Sequence, residues 1–495
     1  MKIAFVNPPF KSEFGRFSRE QRSPAITKSG CIYYPLWLMY AAALAEKRGH
    51  DVDFLDAPAK RMDSVKALDW LAQRKLSANV LFVLDTSTPS IHSDIEFAAQ
   101  LKASYPKSFV ILVGTHPSAR PEETLRMNAA VDAVALREFD HVICDLAAAL
   151  EKGTALDAVR GLAWIEDGAF RRTEDMPYLE TPDLDEIPYA AEFLKKRKDR
   201  GEMSERDYFF PAAHFPSIQI FTGRGCPARC FFCVYPQVMH GHKFRCRSAE
   251  NVIGEFQYIV DNFPEVKEVV IEDDTFTIDE KRVRAICDGL IARKIHKRIK
   301  WLCNARVTLT FETMKAMKRA GCRLLIPGIE SANQQILKNI HKGTTEEQIL
   351  NYVRNARRAG LLIHACYMVG NKGETKSTMQ ETLDLALKLN TDTAQFFPLI
   401  PYPGTEAYDW AKENGYIVSD YRQYCKEDGV HNTVLNLPDL SSEEMVRFCN
   451  EARKRYYLRP RYIMHRLAVA LVHPSDLVRV FKAFGTFKKH LFRSK

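Results

Sequence analysis

Along residues 1 to 150, short continuous apolar runs alternate with longer stretches of helical periodicity. The runs are KIAFV (2–6), DVDFL (51–55), NVLFVL (79–84), FVILVG (109–114) and VDAVAL (131–136). Apolar residues recur at helical spacing in 36–48, 61–75, 92–104 and 139–151. Strands that are apolar on both faces, separated by amphipathic helices, predict a doubly wound parallel sheet of the Rossmann-like kind. Such sheets bind ligands at the carboxyl ends of their strands. The loops at those ends are Asn7-Pro8-Pro9, Asp85-Thr86-Ser87 and Gly114-Thr115-His116-Pro117. Residues 151–215 read as a connector: GLAWIEDGAFRRT predicts a small hairpin turning at Asp167-Gly168, and a charged, proline-containing stretch follows.

A second alternation starts at residue 217. Its strands are SIQIFT (217–222), VKEVVIE (266–272), IKWLCNA (299–305), CRLLIPG (322–328), LIHACYMVG (362–370) and TAQFFPLI (393–400). Helical segments fall at 248–262, 280–294, 311–320, 333–359 (broken at Gly343) and 376–390. Six β/α units over 216–424 predict a partial (β/α)6 barrel, two units short of a closed one. The alternation ends near residue 425, and 425–495 reads as a small, mainly helical region whose SSEE (441–444) is a helix start.

A chain of 495 residues implies two or three domains. No apolar stretch approaches the roughly 18–20 residues that cross a bilayer. MKIAFVNPPF is read as no signal peptide, because Asn7-Pro8-Pro9 stops a short apolar run. The expected location is therefore cytoplasmic. The net charge of +9 sits in the tail: twelve Lys/Arg face one acid, Asp476, between Arg453 and Lys495. Within it, LVRVFKAFGTFKKHLF (477–492) has Phe481, Phe484, Phe487 and Leu491 at helical spacing beside four basic residues. Such a helix suits either an anionic membrane surface or packing on the barrel with solvated lysines. No recognition motif accompanies it, so nucleic acid is not an expected partner.

The chemistry concentrates in TGRGCPARCFFCVYPQ (222–237), with Cys226, Cys230 and Cys233 spaced C-x3-C-x2-C. They follow the first barrel strand, on the rim where β/α barrels place their sites. Glu272-Asp273-Asp274, Arg306 and Glu330-Ser331 follow later strands of the same rim. Three thiolates can hold three irons of a four-iron cluster and leave the fourth open to a ligand bearing an amine and a carboxylate. S-adenosylmethionine carries both. His240 and His242 leave a second reading, a closed Cys3His zinc site. Glu272–Asp274 can equally form a solvated turn, and Arg306 a structural ion pair.

The trio, with Phe232 before its last cysteine, resembles the radical SAM superfamily. So do IEDDTF (271–276), WLCNARV (301–307), GIES (328–331), MVGNKGET (368–375) and PYPGTEAY (401–408). The resemblance implies a [4Fe-4S] cluster on Cys226, Cys230 and Cys233 that cleaves S-adenosylmethionine to a 5'-deoxyadenosyl radical. It places Phe232 near the adenine, Glu272 and Asp273 near the methionine amine, and Arg306 and Glu330 on the methionyl or ribose portion.

A doubly wound domain ahead of the barrel resembles the cobalamin-binding branch of that superfamily. The matching text is NPPF (7–10), YYPLWLMYAAALAEKRGHDVDFLDA (33–57), DTSTPSIHSD (85–94), GTHPSARPEETL (114–125) and YYLRPRYI (456–463). It implies cobalamin against Pro8, Thr86, Ser87, Gly114, Thr115 and His116. For Thr86-Ser87 helix capping is the plain alternative, and for GTHP an ordinary strand-end turn. Two departures stand out. No D-x-H-x-x-G motif supplies an axial histidine, and Leu136-Arg137-Glu138 replaces the branch's usual Gly-Glu pair. The resemblance implies C-methylation of a small-molecule or lipid substrate, with flavodoxin or ferredoxin as electron donor. Radical cyclisation or ring rearrangement without methyl transfer is the second enzymatic reading. A non-catalytic cobalamin sensor or electron carrier is the third.

Overall fold

The computed structural model describes residues 1–464 apart from 22–23, 27–29, 427–430 and 461. The basic helix expected at 477–492 lies outside the described residues. Among them, no helix is long and apolar enough to cross a membrane.

The first alternation forms strands β1 (Lys2–Asn7), β2 (Asp51–Asp56), β3 (Leu81–Thr86), β4 (Phe109–Gly114) and β5 (Ala133–Ala135). They pair in parallel in the order β2-β1-β3-β4-β5. The intervening helices are α1 (Leu36–Lys47), α2 (Ser64–Ala72), α3 (Ile91–Ser104), α4 (Thr115–Ala119), α5 (Pro121–Met127) and α6 (Asp140–Lys152). The GTHP segment is thus the first turn of α4 rather than an open loop. The hairpin of the connector, β6 (Leu162–Glu166) and β7 (Ala169–Arg172), is no free linker. It pairs antiparallel to β5 and extends the sheet to seven strands, so the first domain runs about twenty residues past the expected boundary at 150. Apolar Leu162 and Ala163 are fully buried there, which a lone hairpin could not achieve. Two short helices follow, α7 (Thr181–Glu186) and α8 (Ala190–Asp199).

The second unit holds β8 (Ser217–Ile220), a two-residue hairpin of β9 (Gly223–Arg224) and β10 (Arg245–Cys246), and α9 (Ala249–Asn262). Then come β11 (Glu268–Ile271), α10 (Glu280–Ala292), β12 (Lys300–Ala305), α11 (Phe311–Arg319) and β13 (Cys322–Glu330). The last part runs α12 (Gln334–Asn339), α13 (Glu346–Arg358), β14 (Leu362–Val369), α14 (Lys376–Leu389), β15 (Thr393–Pro398) and α15 (Glu406–Glu413). Strands β8 and β11–β15 form one parallel six-stranded sheet in sequential order whose ends do not pair, the expected partial barrel. Helix α16 (Ser442–Tyr457) starts at Ser441 through a capping box with Glu444.

An open sheet leaves two edges of unpaired backbone groups, and side chains cover both. On β15, the Tyr457 hydroxyl accepts from Ala394 N at 2.9 Å and donates to its carbonyl at 2.6 Å, while Arg453 reaches Phe396 O at 2.6 Å. On β8, the Tyr34 hydroxyl donates to Ser217 O at 3.0 Å. Tyr34 and Tyr40 belong to α1 and its approach, and ten of the twelve α1 residues are buried. Burial on nearly every side marks a helix lodged between layers. Trp37 of α1 packs on Phe221, Tyr235 and His240 of the second unit.

Two buried ion pairs join the units. Arg245 makes a bidentate bond to Glu138 at 2.6 and 2.9 Å, and Arg224 one to Asp140 at 2.6 and 3.0 Å. Burial pushes the Asp140 carboxyl up, but Arg224 outweighs it and holds the group below its ordinary value. The departure at Leu136-Arg137-Glu138 has its physical reason here: Glu138 faces an arginine and Leu136 fills the core.

The carboxyl ends of the first sheet carry a second network. Buried Arg19 donates to Asn7 Oδ1 at 2.5 Å and Pro8 O at 2.9 Å, and it pairs with Asp94. Asp85 Oδ2 has no hydrogen-bond partner, and burial raises the Asp85 carboxyl to about 7 despite Arg19.

Removing one partner of a buried pair strands the other charge. Glu138→Ala should cost about 3–5 kcal/mol in urea unfolding, and a double change to apolar residues at 138 and 245 should recover most of it. For Asp85, the folded value lies above the unfolded one, so its ionisation costs stability as pH rises through about 7. Asp85→Asn should therefore raise the melting temperature by about 2 °C or more at pH 8, and the gain should shrink at pH 5.

Candidate functional site

The three cysteines lie on the long loop between β9 and β10, just above Arg224 and Arg245. Gly225 makes the entry possible: at φ +81°, a Cβ there would stand 2.2 Å from Lys243 O. Its N–H donates to Asp274 Oδ2 at 2.9 Å. Gln237 Nε2 then donates to the carbonyls of Cys230, Phe231 and Cys233 at 3.1, 3.2 and 3.1 Å. Phe231 N reaches Ile340 O at 3.1 Å. With the backbone pinned outside, Cys226, Cys230 and Cys233 all line one cavity of about 250 Å³ at the barrel mouth.

The expected residues divide. Phe232, Glu272, Arg306 and Glu330 line the same cavity. Glu272 Oε1 accepts from Gln219 Nε2 at 2.9 Å. Asp273 does not line it. That side chain is fully buried and accepts from Thr222 N and Oγ1, each at 2.6 Å, so it braces the end of β8. Its neighbour Asp274 faces the cavity instead. Strand alternation sends neighbouring side chains to opposite sides, and the expectation that paired Glu272 with Asp273 overlooked it.

Glu330 is held at φ +66°, an uncommon backbone for this residue type. One of its oxygens bonds Lys342 Nζ at 2.7 Å, and the other, Oε2, is buried without a partner. Thr344 Oγ1 is a second buried, unpaired atom of the wall. Arg306 donates to Lys342 O at 2.9 Å, and the ammonium of Lys342 lies 5.9 Å from the Phe232 ring centroid. Burial pushes the Lys342 ammonium down, but Glu330 outweighs it and holds the group above its ordinary value. Sequence reasoning missed Lys342 and Thr344. The one signal was the helix break at Gly343, which places both on a turn beside the rim.

Two unpaired buried acceptor and hydroxyl atoms, a cation and an aromatic face suit a ligand with sugar hydroxyls and a charged amino-acid end. Three thiols converging from one loop suit a cluster. They do not suit the zinc reading. Neither His240 nor His242 lines the cavity that the three thiols share.

At the ends of the first sheet, the cobalamin expectations divide as well. Ser87 N donates to Ser90 Oγ at 3.3 Å and the two hydroxyls meet at 3.1 Å, so Ser87 caps the turn before α3. Thr86 Oγ1 points back to Leu84 O at 3.5 Å. Pro8 contributes its carbonyl to Arg19. Thr115 is buried at the start of α4, and Gly114 lies so close to β3 that a Cβ would stand 2.2 Å from Thr86 O. His116 Nδ1 meets Thr88 Oγ1 at 3.2 Å, while Nε2 is buried and unpaired; burial lowers the imidazole to about 3, so it is neutral. The orphaned Asp85 Oδ2 and His116 Nε2 fit a ligand rich in amide groups, such as the cobalamin periphery. The first unit also reaches the cavity itself through Gln21 and Tyr33.

Comparison with known proteins agrees with this geometry. Residues 220–386 match the radical SAM superfamily and residues 22–147 the B12 binding domain. An uncharacterized methyltransferase of Pyrococcus horikoshii is 30% identical over 94% of this chain and 94% of its own. The anaerobic magnesium-protoporphyrin IX monomethyl ester cyclase of Cereibacter sphaeroides is 26% identical over 86% of this chain and 66% of its own. Among solved structures, the radical S-adenosylmethionine methyltransferase TsrM of Kitasatospora setae shares the fold with a TM-score of 0.63 at 17% identity, over 84% of this chain and 77% of that one. The chain belongs to the radical SAM superfamily, in the branch whose members place a B12 binding domain before the barrel.

Proposed function

We propose that this protein is a cobalamin-dependent radical SAM methyltransferase acting on a carbon of a small-molecule or lipid substrate. One observation carries the reading: a single cavity collects the three cysteines, the Glu330–Lys342 pair and Gln21 and Tyr33 of the first unit. When bound, the cluster and cobalamin supply reductive cleavage of S-adenosylmethionine and carriage of its methyl group, and the protein supplies position.

The chain's own part can be assigned. Cys226, Cys230 and Cys233 hold the cluster. Glu330 Oε2 and the Thr344 hydroxyl bind sugar hydroxyls. Lys342 takes the carboxylate end, Glu272 and Asp274 the amine, and Phe232 packs against the adenine. Val234, Ile326, Met368, Phe397, Leu399 and Ile400 give the cavity an apolar stretch of wall, beside polar Asn304, His364 and Gln395, and an apolar stretch helps keep water from a reactive carbon. No general base is required for transfer to a carbon radical.

The cyclase relatives favour a second reading, ring closure without methyl transfer, on the same cavity. One assay separates the two. Reconstituted, reduced protein under anaerobic conditions should release 5'-deoxyadenosine from S-adenosylmethionine. With substrate present, S-adenosylhomocysteine should accumulate as well; its absence from a productive reaction would sink methyl transfer. Cys230→Ala should abolish both products. Gly328→Ala should weaken S-adenosylmethionine binding about tenfold or more in calorimetry while leaving the cluster's absorbance intact, because the new Cβ would stand 2.2 Å from Glu330 Oε1 and 2.8 Å from Lys342 Nζ.

A further inference from the structure

Cys366 has no place in the account so far. It sits on β14 between His364 and Met368, at alternate positions, and all three line the cavity shared by the cluster cysteines. Of the nine cysteines outside the trio, it is the one that lines this cavity among the described residues. Seven of the others are buried, and Cys246 is half-buried on β10.

The register gives Cys366 a particular neighbour. It stands opposite Gly328 of β13, and adjacent strands lie about 4.8 Å apart. Gly328 has no side chain to intervene, and a Cβ there would already collide with Glu330 and Lys342. A bare backbone position therefore separates the thiol from the Glu330–Lys342 pair. That pair belongs to a pocket built for a ligand, since Glu330 Oε2 and Thr344 Oγ1 are buried there without partners. The sugar end of S-adenosylmethionine is assigned to the same atoms, so the carbon that becomes a radical forms within the thiol's neighbourhood.

We propose that Cys366 is a hydrogen-atom donor to carbon radicals generated in this cavity. The S–H bond breaks homolytically, a C–H bond forms on the radical carbon, and the sulfur is left as a thiyl radical. One electron from the low-potential reductant that S-adenosylmethionine cleavage already consumes, with one proton from solvent, restores the thiol. An S–H bond is weaker than an alkyl C–H bond, so the transfer runs downhill. The role rests on the radical reading above and deepens it. It gives a 5'-deoxyadenosyl or substrate radical a defined end whenever no methyl group is accepted.

The test needs no substrate. Reconstituted protein is incubated anaerobically in D2O with S-adenosylmethionine and titanium(III) citrate, without added thiols. The wild type should yield 5'-deoxyadenosine carrying one deuterium from the exchanged S–D group. Cys366→Ala should lose that label, and so should Cys366→Ser, whose O–H bond is too strong to donate. Unlabelled 5'-deoxyadenosine from the wild type, or an undiminished label in both variants, would overturn the inference alone. Absence of any 5'-deoxyadenosine would overturn the radical reading and this inference with it. A second measurement involves no turnover. S-adenosylmethionine added to the unreduced holoprotein should slow iodoacetamide alkylation of Cys366, followed by peptide mass spectrometry. An unchanged rate would place the thiol outside the ligand's pocket and overturn the role.

Discussion

Two buried arginines hold the cysteine loop at its root, and the site depends on them. Arg224 and Arg245 stand opposite each other in the β9–β10 hairpin; Arg224 grips Asp140 at the start of α6, and Arg245 grips Glu138 just before it. Beyond the cysteines the loop is packed through Phe231, Tyr235 and Met239, and at its root the two ion pairs fix where it enters and leaves. Because the gripped carboxylates belong to the first unit, the same bonds that steady the loop also set the first sheet against the barrel. Desolvating four charges is expensive, and it is offset by bidentate geometry on both pairs and by the bonds of Arg245 to the carbonyls of Leu179 and His240. The arrangement thus ties the register of the two units to the geometry of one loop.

Above that root, backbone and side chain are divided between two tasks. Carbonyls of the loop are taken by Gln237, and amides by Asp274 and the carbonyls of Gly241 and Ile340. The thiols are left to face the cavity. Across from them, Glu330 sits in an uncommon backbone conformation with one oxygen held by Lys342 and the other unpaired. Strain and unsatisfied polarity of this sort persist where the surroundings over-determine them, and they gather at ligand sites. The open barrel makes the cavity reachable from the first unit, and its exposed strand edges are closed by tyrosines from α1's approach and from α16. Helix α16 is therefore part of the barrel's wall rather than an appendage.

Much of this was legible in the chain. The period of the apolar pattern located all six barrel strands to within a few residues, and the spacing of Cys226, Cys230 and Cys233 marked the loop. The hairpin at 162–172 was legible too, but not its partner. Its antiparallel pairing to β5 is a long-range contact that no local pattern encodes. Asp273 was misassigned because adjacency in sequence was taken for a shared face. Thr86 and Ser87 were placed on a ligand, yet their hydroxyls serve the turn before α3 and the carbonyl of Leu84.

What the sequence by itself determined is the set of elements and the chemistry of the loop: apolar periodicity dictates strand and helix, and three thiols at that spacing suit few metals. What only the tertiary structure decided is which groups meet. Lys342 lies twelve residues beyond Glu330 and becomes its counter-ion because α12 turns the chain back onto the rim. Cys366 enters the same cavity because strand register sets it beside a glycine. Such pairings depend on distances across the fold, and distances across the fold arise from packing, which no single stretch of residues contains.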